Sequence, residues 1–150
     1  MTLAVAESFT GGQIAARIAP LAGAERVFRR GVVARDMAEF GKATGLDGRL
    51  LNNALTPELA ATVAEAIRTL AGASHGLAVL VELDEGADRL EFGGTICLAI
   101  ASESGAKSRR SRILGGREWV RLGAVEMGLD CLRRYLNGLP VDERIDFEKV

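Results

Sequence analysis

The chain has little of what redox, metal or membrane chemistry would use. It holds two cysteines and one histidine in 150 residues. Cys97 lies in the apolar run Thr95–Ala101 and Cys131 on a helical pattern, so both read as buried thiols of a protein from a reducing cytosol. His75 stands between Ser74 and Gly76 with no cysteine or carboxylate at ligand spacing, so neither a metal site nor a cofactor is expected. Charge of one sign is also missing. The net charge is −1 with 26% charged residues, which gives no bulk attraction to nucleic acid or to anionic lipid. No apolar run reaches the length of a membrane span, and nothing resembling a signal peptide precedes Leu3. The length suits one cytoplasmic domain with a core of ordinary size.

Short apolar runs alternating with helical patterns are what the sequence does contain. Leu3-Ala4-Val5-Ala6 suits a buried parallel strand. The turn Glu7-Ser8-Phe9-Thr10-Gly11-Gly12 follows, then helical composition from Gln13 to Ile18. Val27–Ala34 reads as a second strand and Met37–Thr44 as a short helix. Thr56-Pro57-Glu58 is a strong helix start, with Thr as cap, Pro in the first turn and Glu complementing the dipole. Leu59, Val63, Ala66, Ile67 and Leu70 carry that helix to Gly72. Leu77–Leu83 is a third strand, and 84–94 a charged loop. Thr95–Ala101 and Lys107–Leu114 are the fourth and fifth strands, joined by the turn Glu103–Ala106. Trp119, Val120, Leu122, Val125, Leu129, Leu132 and Leu136 trace the expected buried face of a long last helix, closed by Asn137-Gly138.

These connections predict an α/β fold. Helical links between the early strands favour parallel pairing with right-handed crossovers, whereas the short turn makes strands four and five an antiparallel hairpin. The expectation is a three-layer α/β/α domain over residues 1–138. Its mixed, mostly parallel five-stranded sheet has strand four antiparallel, and a polar surface tail follows over 139–150. Lys107, Arg109, Arg110 and Arg112 suit strand five to a sheet edge. They are too few, in a chain that is not basic, to predict a nucleic-acid surface.

The first strand-to-helix turn carries the candidate chemistry. Thr10 is placed to cap the helix, while Gly11 and Gly12 let the backbone approach a ligand closely. Free amides at the positive end of the helix favour a phosphate, a carboxylate or a developing oxyanion. Ser8 sits at the lip, where a hydroxyl nucleophile is useful. The same spacing equally fits an ordinary strand-to-helix turn with a capping threonine.

Five segments in order carry a family resemblance. Ala6-Glu7-Ser8-Phe9-Thr10-Gly11-Gly12 resembles the Ala-Glu-Ser-Cys-Thr-Gly-Gly signature of the CinA C-terminal domain family. Gly31-Val32-Val33-Ala34 is similar to its Gly-Val-Val-Ala strand, and Asn53-Ala54-Leu55-Thr56-Pro57-Glu58 to its Gly-Ala-Val-Ser-x-Glu helix start. Gly94-Thr95 resembles its Val-Gly-Thr strand entry, and the segment from Leu114 to Arg121 its Phe-x-Gly-Asp-Arg-x-x-Val-Arg element. The resemblance implies the same three-layer fold and a metal-free amidohydrolase that hydrolyses the nicotinamide amide of nicotinamide mononucleotide, releasing ammonia. In such a site Ser8 would attack the amide carbon while a base takes its proton. Amides at the helix start would hold the oxyanion, Thr10, Gly11 and Gly12 would line the ligand site, and Arg117 would clamp the nucleotide phosphate, support that pocket or pair at the start of the last helix.

Departures from the family pattern fall on the chemistry. After Gly-Val-Val-Ala the family continues Tyr-Ser-Asn-x-x-Lys, and the Tyr and Lys belong to its catalytic set. Here the register gives Arg35-Asp36-Met37-Ala38-Glu39-Phe40. Lys42 lies two positions later, about 200° around a helix, and is a weak candidate base; Glu39 is another. The family's Thr-Gly-Ile-Ala-Gly-Pro loop is replaced by Leu80-Val81-Glu82-Leu83-Asp84-Glu85, whose carboxylates would repel a phosphate. These changes point to a diverged member with the usual deamidase activity lost or altered. The alternatives are an active nicotinamide-nucleotide amidohydrolase with Ser8 as nucleophile and a relocated base, and a non-catalytic nucleotide- or anion-binding or interaction protein. Family members usually carry a helix before the first strand. Its absence here would uncover apolar surface and favours a homodimer or other homo-oligomer.

Overall fold

The computed structural model describes residues 1–47, 49, 54–86 and 88–143. Five strands form one sheet in the order β2-β1-β3-β4-β5: β1 Leu3–Ser8, β2 Phe28–Ala34, β3 His75–Leu83, β4 Gly93–Ser102 and β5 Gly105–Leu114. β1 pairs in parallel with β2 and β3, and β4 is antiparallel to both β3 and β5. Four strands therefore point one way and β4 alone opposes them, as expected. The helices are α1 Gln13–Ile18, α2 Ala24–Val27, α3 Met37–Thr44, α4 Pro57–Ala71 and α5 Arg117–Leu136. α1 and α5 pack on one sheet face, α3 and α4 on the other.

The two faces use side chains of different size. Leu3, Val5, Leu77, Val79, Ile96, Leu98 and Ile100 meet α1 and α5. The opposite face is largely alanine, with Ala4, Ala6, Ala78, Ala99 and Ala101 under α4. Small residues let α4 lie close to the sheet. A Cβ on Gly76 would stand 2.1 Å from the Ala64 carbonyl oxygen. Thr56 caps α4 by accepting from the Leu59 amide at 3.1 Å, and Gly72 ends it in the left-handed conformation, as the sequence pattern predicts.

Four expectations are corrected. Val27 belongs to α2, a helical turn that has no amphipathic signal of its own, and the strand begins at Phe28. Thr10 does not cap α1, whose N-cap is the left-handed Gly12. On α5 the buried positions include Val120, Ala124, Met127 and Cys131, whereas Trp119, Leu122 and Leu136 are exposed. The start of the C-terminal segment is not a loose polar appendage. Val141 is buried in the core, Arg109 donates to the Glu143 carbonyl, and Arg134 pairs with the Glu143 carboxylate. Residues 144–150 and Asn53 lie outside the described residues.

β5 occupies the sheet edge, as its charge suggests, and two of its arginines have intramolecular roles. Arg109 is buried, and Arg112 holds Asp84 through two hydrogen bonds of 2.7 and 2.6 Å. No described helix is long and apolar enough to cross a membrane.

Candidate active site

The chain leaves β1 through α1 on one face of the sheet, and reaches β3 through α4 on the other. Connections that diverge in this way open a crevice at the carboxyl ends of the two strands between them. Ser8 ends β1 at this point, and Val81 of β3 lies beside it.

Three of the four residues after Ser8 have positive φ: Phe9 at 66°, Gly11 at 66° and Gly12 at 88°. Phe9 has a Cβ, so its left-handed backbone carries strain that its surroundings must offset. Glu7 supplies that restraint. Its carboxylate is fully buried, yet every contact it makes is a donor. Oε1 accepts from Thr10 Oγ1 at 2.6 Å and from the Ile14 amide at 3.0 Å; Oε2 accepts from the Ala15 amide at 3.0 Å. The carboxylate thus sits inside the N-terminus of α1 and takes amides that were expected to face a ligand. Thr10 serves this carboxylate instead of the helix. Among the described residues no protein acceptor takes the Gly11 or Gly12 amide. A Cβ on Gly12 would touch Val33 Cγ2 at 3.4 Å, so the turn lies against β2.

Ser8 is 1% exposed. Its Oγ accepts from the Val81 amide at 2.9 Å, extending the β1–β3 ladder by one side-chain bond. No side-chain base touches it among the described residues. Lys42 stands in solvent on α3, paired with Glu39 at 2.9 Å. The hydrogen bond to Glu39 raises its pKa above the usual lysine value, which keeps it protonated and unable to accept a proton. Arg117 begins α5 and holds Asp88 at 2.6 Å. The structure therefore gathers Ser8, Thr10, Gly11 and Gly12 into one turn, while Lys42 and Arg117 each serve a carboxylate of their own.

The segment that replaces the family's Thr-Gly loop has structural work. The Glu82 carboxylate accepts from the Leu55 amide at 3.1 Å, at the entry to α4. Asp84 holds Arg112 and the Gly93 amide. The Arg112 guanidinium keeps the Asp84 carboxyl below the usual carboxylate range. Five of the cavities on the described surface, of about 330 to 670 Å³, are lined by residues other than Ser8, Thr10, Gly11, Gly12 and Arg117. No group of three or more His, Cys, Asp or Glu side chains able to hold a metal occurs among the described residues.

Glu7 is the residue to which sequence reasoning gave no role. Its signal was present: a carboxylate in a strand buried along its whole length must find donors nearby, and the following helix start is the nearest supply.

The CinA C-terminal domain model matches residues 1–136, and the chain belongs to that family. A CinA-like protein of Frankia casuarinae is 37% identical over 144 residues, covering 95% of this chain and 33% of the relative. A CinA-like protein of Geotalea uraniireducens is 32% identical over 148 residues, covering 97% and 35%. The chain thus spans about a third of the length of these relatives. Among solved structures, the competence/damage inducible protein CihA from Agrobacterium tumefaciens superposes with a TM-score of 0.74 at 26% identity, covering 91% of this chain and 86% of that one. The competence damage-inducible protein A (ComA) from Klebsiella pneumoniae gives 0.78 at 25% identity, covering 91% and 86%.

Proposed function

We propose that this CinA C-terminal domain has diverged from amide hydrolysis and does not deamidate nicotinamide mononucleotide. The supporting observation is the state of Ser8, whose Oγ is buried and held by a backbone donor, with no side-chain base hydrogen-bonded to it among the described residues. Attack on an amide forms an Oγ–carbon bond. The hydroxyl proton must leave as that bond forms, and ammonia must depart with a proton before water cleaves the acyl intermediate. An alcohol without a base performs neither transfer at a useful rate. Lys42 is protonated and paired with Glu39, so neither serves as a relocated base from its place here.

A second reading keeps the crevice as a binding module for a small nucleotide or anion, without turnover. The amides of Gly11 and Gly12 favour it, because they remain available as donors. Glu7 weighs against an anion, since its carboxylate already complements the positive end of α1.

Ammonia release from nicotinamide mononucleotide tests the proposal. Wild type and Ser8→Ala are expected to give the same background rate; turnover that disappears in Ser8→Ala overturns it. Thermal shift with the mononucleotide, nicotinate and inorganic phosphate tests the second reading. A ligand at 100 times its dissociation constant adds about 2.7 kcal/mol. No shift with any of the three leaves the crevice as an element of the fold.

A further inference from the structure

β2 ends the sheet, with β1 on one side and no strand on the other. Alternate residues of a parallel strand turn both backbone groups to one neighbour, so every second residue of β2 offers a donor and an acceptor outward. Among the described residues, no backbone or side-chain group outside the sheet bonds to the backbone of Arg29–Ala34. The side chains along this edge are basic. Arg29 is the extra residue of a register shift between Phe28 and Arg30, and both arginines are exposed. Arg35 is exposed directly beyond the strand. Elsewhere Arg68, Arg112, Arg121 and Arg134 each hold a carboxylate. No hydrogen bond or ion pair holds the side chain of Arg29, Arg30 or Arg35 among the described residues. Asp36, the acid next to Arg35, caps α3 through the Glu39 amide. The opposite edge of the sheet differs. On β5, Arg109 donates to the Glu143 carbonyl and Arg112 holds Asp84, so those cations already have acceptors. Val33, also on β2, is 54% exposed. In the β1 register Arg30 lies beside Ala4 and Val33 beside Glu7, an odd spacing that sets them on opposite faces of the sheet.

We infer that the β2 edge docks an extended acidic segment of a different protein, which adds to the sheet as a further strand. Main-chain hydrogen bonds to the open side of β2 supply the affinity of such an addition, and side chains on the two faces supply the selectivity. Carboxylates on one face of the segment meet Arg30, while apolar side chains on the other cover Val33. Arg29 and Arg35 bracket the strand, about 20 Å apart at roughly 3.3 Å per residue, and their long side chains reach acids toward the two ends of the segment. A guanidinium is suited to this task because it takes a carboxylate through two parallel hydrogen bonds. The same charges exclude a second copy of this edge, since pairing β2 with β2 sets arginines against arginines. A nucleic-acid strand would match the arginines but leave Val33 and the directional backbone groups of β2 without a counterpart, so the open edge favours a peptide.

Three labelled probes test the docking edge by fluorescence anisotropy: a capped peptide of about ten residues alternating Glu and Val, its Lys-Val counterpart, and a single-stranded oligothymidylate of similar length. Alternation places every carboxylate on one face and every valine on the other, matching Arg30 and Val33. The Glu-Val peptide is expected to bind, more weakly as salt rises, and to slow hydrogen exchange at amides of Arg29 to Val33. The Lys-Val peptide and the oligothymidylate are expected not to bind. R30E alone is expected to weaken the Glu-Val peptide about tenfold, as like charges replace opposite ones. R29E, R30E and R35E together are expected to abolish that binding and to confer binding of the Lys-Val peptide, a gain that an unfolded variant cannot show. Four results each overturn the inference. The Glu-Val peptide does not bind, in which case the arginines only keep the edge from aggregating. It binds without slowing exchange in β2, so that charge alone holds it. The oligothymidylate binds as tightly. The triple reversal leaves the preference between the two peptides unchanged. The ammonia assay bears on none of these outcomes.

Discussion

Replacing Glu7 with glutamine isolates the contribution of the buried carboxylate, because the substitution preserves shape and removes only charge and one acceptor. Oε1 serves Thr10 and Ile14, and Oε2 serves Ala15. If the glutamine oxygen takes the place of Oε1, its NH₂ group faces the Ala15 amide, donor against donor. An unsatisfied buried donor costs about 1–3 kcal/mol. The two surviving bonds fall from charge-assisted to neutral strength, about half as strong. The interaction with the α1 dipole, about 0.3–1 kcal/mol, is also lost. Glutamine is cheaper to bury than a carboxylate, which offsets part of this, leaving a net loss of about 3 kcal/mol. For a chain of this length that lowers the melting temperature by about 10 °C. Urea unfolding should show a lower midpoint with an unchanged slope, and hydrogen exchange should quicken first at the Ile14 and Ala15 amides. Stability within about 0.5 kcal/mol of wild type, with α1 amides as protected as before, would refute the claim that Glu7 holds the turn.

Three further outcomes follow from the geometry. His75 is the only histidine, and burial is the first cause that lowers its pKa below the ordinary value. The unfolded chain therefore binds the proton more readily, so the stability of the neutral ring is complete above about pH 6.5 and declines as pH falls below it; an NMR midpoint at or above 6.5 would contradict this. Cys97 and Cys131 are buried thiols pushed up to about 11 and about 12. A thiol reagent at about pH 8 should label neither in the native protein and both in urea, and rapid native labelling would count against the packing described. Gly76→Ala drives a Cβ to 2.1 Å from a backbone oxygen of α4, whereas Gly128→Ala meets only the side-chain tips of Ile14 and Val79 at 2.8 Å. The first should cost more than about 3 kcal/mol and the second about 1–3 kcal/mol, measured by urea unfolding; the reverse order would sink the argument.

Much of the architecture was legible because local signals and tertiary needs agree. Thr56, Pro57 and Gly72 bound α4 in sequence and in space, and the tight link between β4 and β5 forces a hairpin whatever surrounds it. The last helix was misread for a physical reason. Periodicity reports which positions are apolar, and on α5 they occur all round, so the pattern does not separate Val120 and Met127, which face the sheet, from Trp119 and Leu136, which do not. The tail differs from its expectation because Val141, between Leu139-Pro140 and the charged pair Asp142-Glu143, belongs to a segment too short to show a period, yet it is buried where Arg109 and Arg134 hold Glu143.

The signature turn was the most legible element and the least informative about activity, and the structure explains both. Glu7 binds the α1 amides, Thr10 donates to Glu7, Gly12 lies against Val33 and Ser8 accepts from Val81. Each of these contacts maintains the path from β1 into α1, whether or not Ser8 ever attacks a substrate. A match to this turn therefore predicts the fold strongly, because the fold itself needs these residue types. On the reading proposed above, proton transfer would need groups outside it, at the end of β2 and along α3, where Arg35, Glu39 and Phe40 stand in the Tyr-Ser-Asn-x-x-Lys register that the resemblance implies. Arg35 and Glu39 are exposed and change without disturbing the core, whereas Phe40 is fully buried and packs within it. Lys42 and Glu39 pair with each other in solvent, an arrangement that stabilises the exposed face of α3 slightly at most and gives Ser8 no base. On that same reading, the chemistry diverges at α3 while the turn is kept by contacts of its own.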